Sequence, residues 1–140
     1  MTTPIWALLG FAAWTVVLLL GTVGVYRWSR ILTGRVPMRE FRADRVEGED
    51  WYKRAMRAHA NCVENLPVFG AIVFALHARG ADEGIAGPIS VAILAARVAQ
   101  SLVHVSFEQT NPVVLVRFSF FFVQIAGFVW LIALAVSAAA

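Results

Sequence analysis

The sequence predicts an all-α integral membrane protein, an antiparallel bundle of four helices. Three observations carry that prediction. Apolar residues make up 59% of the 140 and charged residues only 15%, against about 25% charged in soluble domains. Four apolar segments, each long enough to cross about 30 Å of hydrocarbon, alternate with polar or basic stretches. Nine of the twelve Lys and Arg fall between Arg27 and Arg57, beside apolar segments. That distribution is juxtamembrane charge, so the formal +3 does not point to nucleic acid. The length, residues 1–140, is that of one domain.

The first helix is expected over about 4–26. Pro4 to Tyr26 is uncharged; no basic region precedes it and its apolar core is too long for a signal peptide, so it reads as a retained span. Trp6 at one end, and Tyr26 with Trp28 at the other, suit interfacial belts. Gly21 and Gly24 can let a neighbouring helix approach. A basic loop follows over 27–49. The second helix is expected over 50–78, where Glu49 and Asp50 favour the positive end of its dipole and the first turns form a stalk below the membrane. Arg79 to Gly84, "RGADEG", is a turn, and the third helix is expected over 85–105. "SFEQTNP" marks the next turn, with Pro112 suited to the start of the fourth helix, expected over 113–138. By the positive-inside rule the 27–49 loop is cytoplasmic and both termini face outward. Cys62, the lone cysteine, cannot form an intramolecular disulfide and reads as a small buried residue.

The membrane segments carry polar residues that need a reason, because a charge near the bilayer centre costs at least about 2.5–3.5 kcal/mol. In the second helix Arg54, Arg57, Asn61 and Glu64 step by three, four and three, which makes one stripe at 100° per residue. In the third, Arg97, Gln100 and His104 form another. Arg117 lies in the first turns of the fourth. At 1.5 Å per residue Glu64 stands roughly 10 Å into the span and Arg97 roughly 15 Å, so all these groups can converge in the cytoplasmic half. Two readings follow. Glu64 pairs with Arg97 and the charges satisfy one another, or the surplus of Arg54, Arg57, Arg97 and Arg117 over Glu64 binds an anion. Pro67 frees the carbonyl of Val63 and bends the second helix. Gln124 reads as an interhelical contact. No metal-ligand cluster, phosphate-cradling glycine loop or serine–histidine–acid set is present in the pattern.

The stretch "RAMRAHANCVENLPVF" resembles the helix-2 signature of the MAPEG family, the membrane-associated proteins in eicosanoid and glutathione metabolism, in a bacterial-type form. Arg57, Ala58, His59, Asn61, Glu64 and Pro67 match that signature in order, and "AARVAQSLVH", Ala95 to His104, is similar to the helix-3 signature. The resemblance implies a homotrimer that binds glutathione as co-substrate at cytoplasmic subunit interfaces and acts on a lipophilic small-molecule substrate arriving from the membrane lipids. It implies that Arg57 and Asn61 hold the peptide, that Glu64 holds its ammonium, and that Arg54, Arg97 and Gln100 belong to the same site. Arg35 or Arg39 would reach a glutathione carboxylate. Arg117 would stabilise the thiolate, and His104 stands where the family places a tyrosine and would act as hydrogen-bond partner or base. Gln100 replaces a titratable His or Tyr, and Phe118 follows Arg117 where some members carry Ser. The expected function is a glutathione transferase or peroxidase; the alternative is a non-catalytic membrane protein on the same scaffold that binds a lipid, an anionic metabolite or a partner. A small multidrug exporter is disfavoured, because the first helix lacks a carboxylate.

Overall fold

The computed structural model describes residues 1–42 and 44–138. Four long helices, α1 (Thr3–Leu32), α2 (Asp50–Ala78), α3 (Ala86–Ser106) and α4 (Asn111–Ser137), are each long and apolar enough to cross a membrane. Among the described residues there is no strand; one short 3₁₀ turn, Met38–Glu40, lies in the long loop. The protein is an all-α, multi-pass membrane bundle. Short turns join α2 to α3 and α3 to α4, so those neighbours run antiparallel. α3 packs against α1, α2 and α4 and is the central helix.

α1 runs further than the uncharged stretch. It continues past Tyr26 to Leu32 because α2 supplies partners for its last basic turn: Arg27 Nε donates to Tyr52 Oη at 2.8 Å, and Arg30 pairs with Glu49. The helix widens into a π-helical turn over Leu19–Gly24, where Thr22 Oγ1 donates to the Leu18 carbonyl at 2.6 Å. Gly21 and Gly24 serve that turn rather than a helix–helix approach. A Cβ on Gly21 would meet nothing within 4 Å, and one on Gly24 would meet only Leu19's own carbonyl. The close approach falls elsewhere: a Cβ on Gly127 of α4 would lie 2.7 Å from Ile93 Cγ1 of α3. α2 stays helical through Pro67, which sits on an exposed face.

Lipid is as apolar as leucine, so helices in a bilayer associate through close packing and polar contacts rather than hydrophobic burial. The core shows both. Phe11, Phe69 and Phe128 form a run of tilted rings with centroids 5.7 and 5.9 Å apart, flanked by Ile93, Leu76 and Leu131. Between α2 and α3, Cys62 is fully buried with Sγ 3.5 Å from Ser101 Oγ. At the loop end a second cluster joins α1 to α2, where Tyr26 stacks on Tyr52 at 4.1 Å and meets the edge of Trp51 at 5.3 Å. The returning loop passes tightly over it: Gly48 has φ 139°, and a Cβ there would stand 2.7 Å from Tyr26 Oη. At the opposite end Asp82 accepts from Thr2 Oγ1 at 2.9 Å and lies 2.6 Å from His77 Nδ1, which ties the start of α1 to the α2–α3 turn.

Candidate functional site

Two neighbouring clefts open at the loop end of the bundle. The larger, about 780 Å³, lies between the first turns of α2 and the end of α3; Lys53, Arg54, Arg57, His104 and Glu108 line it. The first turns of α2 are helical here because Glu49 and Asp50 sit at the helix start, where a negative charge meets the positive end of the dipole. Arg54 Nε donates to the Val105 carbonyl at 3.4 Å, which fixes α2 against the end of α3. Asp50 is 3.6 Å from Lys53. Arg57 is exposed, and among the described residues neither Arg54 nor Arg57 makes an ion pair. His104 is buried at the floor, within electrostatic range of Arg117, Arg57 and Arg54.

The smaller cleft, about 180 Å³, is bounded by Asn61 of α2, Gln100 of α3, and Arg117, Phe118 and Phe121 of α4. Here a polar ladder crosses the bundle. Gln124, fully buried, donates through Nε2 to Gln100 Oε1 at 3.0 Å and to the Phe120 carbonyl at 3.0 Å. Gln100 Nε2 in turn donates to the Arg117 carbonyl at 3.2 Å. Gln124 is thus the interhelical contact its position suggested. The ladder fixes the turn that carries Arg117, whose Nε is buried without a protein partner. Arg117 therefore reaches a mixed surface, with an amide on one side and exposed phenyl rings on the other.

The structure brings together six of the expected site residues, Arg54, Arg57, Asn61, Gln100, His104 and Arg117, and leaves four outside. Arg97 is 1% exposed, deep between α1 and α3. Its guanidinium lies 5.6 Å from the Phe11 ring centroid, and Nε and Nη2 have no protein partner. Glu64 is exposed on α2 and lines neither cleft. Among the described residues no Glu64–Arg97 ion pair forms, although Glu64 lies within electrostatic range of the Arg97 guanidinium. Arg39 lines a separate cleft formed by the loop, and Arg35 is exposed on that loop. Sequence reasoning missed Asp50, Lys53 and Glu108, which line the larger cleft. The first two lie on the stalk, one turn before the stripe. Glu108 lies in a turn, where no periodicity marks it. Among the described residues no three of His, Cys, Asp and Glu cluster as a metal site would need.

A model of the MAPEG family matches residues 4–137, almost the whole chain. No curated protein and no solved structure matched it. With four spans in order and the match running from the first turn of α1 to the last of α4, the chain belongs to the MAPEG family.

Proposed function

We propose that the protein binds glutathione in the Arg54–Arg57–His104 cleft and presents the thiol to Arg117, acting as a glutathione transferase or peroxidase on lipophilic electrophiles or hydroperoxides. One observation carries this reading. Three guanidinium groups, those of Arg54, Arg57 and Arg117, gather at one end of a membrane bundle without carboxylate partners among the described residues. Glutathione has two carboxylates and one ammonium, so it supplies the missing anions. Arginine–carboxylate contacts are short and frequently bidentate. The larger cleft, about 780 Å³, is within the usual range for small-molecule sites.

In the chemistry this arrangement supports, Arg117 favours the thiolate, because a nearby cation lowers a thiol pKa. The sulfur attacks an electrophilic carbon; the C–S bond forms as the leaving group departs with its electron pair. With a hydroperoxide the sulfur attacks the terminal oxygen and releases the alcohol. A second glutathione then reduces the resulting sulfenic acid to the disulfide and water. The exposed Phe118 and Phe121 beside Arg117 give a lipophilic substrate a path from the membrane lipids.

The reading includes a homotrimer. Ionisable residues within a span almost always face a protein interior or a water-filled cavity, yet Glu64 is exposed on the single chain. A neighbouring subunit laid over that face would turn Glu64 toward a site at the boundary, where it would hold the ligand ammonium. The loop end would face the cytoplasm, where the ligand is found. The ligand set leaves out Arg35, Arg39 and Arg97.

Thermal unfolding in detergent, titrated with glutathione and with glycine as control, tests the binding. Saturation to a hundred times the dissociation constant stabilises by about 2.7 kcal/mol. The shift is expected to be lost in Arg57→Ala. Arg117→Ala is expected to keep the shift and lose conjugation. No shift at millimolar glutathione in the unaltered protein would overturn the reading. One observation favours the alternative, a non-catalytic binder: the Gln100 amide is bound to Arg117's carbonyl and to Gln124 and offers no titratable group. Absence of turnover across electrophiles and hydroperoxides, with binding intact, would select it.

A further inference from the structure

The loop end carries a third cleft, about 580 Å³, that the proposed glutathione site does not use. Arg30, Arg39, Arg42 and Arg45 line it against only Glu40 and Glu47. We infer that this loop surface is a docking site for the headgroups of anionic phospholipids in the adjoining leaflet. Three features of the structure point there.

The first is position. α1 leaves the span through Trp28 and Leu32, both exposed, and the loop continues through exposed Arg35, Met38 and Arg39. Apolar and basic side chains thus follow one another directly after the apolar part of the first span, where a polybasic segment meets anionic headgroups. The second is rigidity. The loop is held to the bundle by Arg30 with Glu49, by the Glu49 N–H donating to Tyr26 Oη at 3.3 Å, and by the close passage of Gly48 over the Tyr26 ring. Both ends of the basic segment are thus tied to the bundle. The third is charge that remains open to a new anion. Arg35 and Arg39 make no ion pair among the described residues, and Arg42–Asp44 and Arg45–Glu47 are exposed pairs. Exposed pairs contribute little, so a phosphodiester can displace them. Juxtamembrane bases attract anionic lipid by about fivefold each near the surface.

The protein is purified in a neutral detergent and titrated with phosphatidylglycerol or phosphatidylcholine of the same acyl chains, and bound lipid is counted by native mass spectrometry. The expected result is at least a tenfold preference for phosphatidylglycerol. It should fall to within about twofold in Arg39→Gln/Arg42→Gln/Arg45→Gln, persist in Arg79→Gln at the opposite end, and rise in Glu40→Gln/Glu47→Gln. The substituted side chains are exposed, so the fold stays intact in each. Raising salt from about 0.1 M to about 1 M shortens the screening length from about 10 Å to about 3 Å and should erase most of the preference. Equal binding of the two lipids overturns the inference, as does a preference that survives the triple substitution. Complete displacement of lipid by millimolar glycerol phosphate would also overturn it, marking a soluble-anion site instead. None of these results depends on whether glutathione binds.

Discussion

Gln100 separates a ligand contact from a brace, and a double-mutant cycle with Gln124 decides between them. In Gln124→Leu, Gln100 Oε1 loses its donor; in Gln100→Leu, one Gln124 N–H and the Arg117 carbonyl lose their partner. Gln124 keeps its bond to the Phe120 carbonyl in the second case, which limits the damage. Interhelical side-chain hydrogen bonds in membranes average about 0.6 kcal/mol and reach about 1.7. Each single substitution should therefore cost about 1 kcal/mol. The double should cost about the same as the worse single, since it removes both partners together. The coupling expected is then about 1 kcal/mol, read from thermal unfolding of the four proteins in one detergent. A brace acts on glutathione only through the position of Arg117, so Gln100→Leu should weaken glutathione binding by about threefold or less, equivalent to about 0.6 kcal/mol. Strictly additive stability effects together with a loss of tenfold or more in affinity would refute the brace and return Gln100 to the ligand set.

Gly48→Ala should destabilise by about 1–3 kcal/mol, because the residue sits at φ 139° with Tyr26 Oη in the place of a Cβ; such backbone strain costs about that much. Chemical unfolding with Tyr26→Phe as background checks the cause, since an undiminished penalty there would exclude Tyr26 Oη and move the origin to the dihedral and to Tyr52 Cδ1, 3.0 Å from the same Cβ. Gly127→Ala gains about 1 kcal/mol of helix propensity but overpacks Ile93, at about 1–3 kcal/mol. The expected net loss should vanish in an Ile93→Ala background, and a loss unchanged there would exclude the α3–α4 approach as its origin. At the far end the hydrogen bond from His77, then that from Thr2, holds the Asp82 carboxyl below its ordinary range. A lowered folded-state pKa contributes stability that is complete above the unfolded value, about 3.9, and lost as pH falls through the folded value. The melting-temperature difference between the unaltered protein and Asp82→Asn should therefore be full at about pH 6 and shrink below about pH 4; a difference independent of pH would count against the clamp.

The four spans were legible because apolar length is a one-dimensional property, and a bilayer fixes the length required. Where the sequence reading stopped short, the missing information lay in a partner segment. Charge alone ends α1 at Tyr26, but Tyr52 and Glu49 receive the next two arginines and carry it to Leu32. Gly21 and Gly24 look like helix-contact residues, and only the backbone shows that they belong to a π-helical turn. Arg97 and Glu64 share a depth, which a residue count gives. They lie within electrostatic range of each other but form no ion pair, because closing to contact depends on the rotation of one helix against another, and that rotation is absent from any count.

That rotation explains why the α2 stripe divides. Set Arg57 at 0° and advance 100° per residue: Arg54 falls at about 60°, Asn61 at about 40°, and Glu64 at about −20°. The fully buried side of the same helix, with Ala58, Cys62 and Phe69, centres near 120° on that wheel. Arg54 and Asn61 lie on the flank toward the core and reach α3 or α4, and both are half-buried. Arg57 and Glu64 lie on the flank away from it, and both are exposed. The stripe therefore straddles the edge of the bundle: one chain completes the inner half, leaves Arg57 exposed at the mouth of the larger cleft and leaves Glu64 on an uncovered face. A helix that carried these residues only to brace its own bundle would turn all of them inward. The outward half fits the proposed trimer, in which a second subunit would cover it and the proposed ligand would lie between two surfaces. Arg57→Ala and Glu64→Gln should then weaken subunit association and glutathione binding together, while Asn61→Leu should weaken binding alone; sedimentation in detergent beside the thermal titration separates the two effects, and loss of binding in Glu64→Gln from a stable monomer would defeat the boundary site.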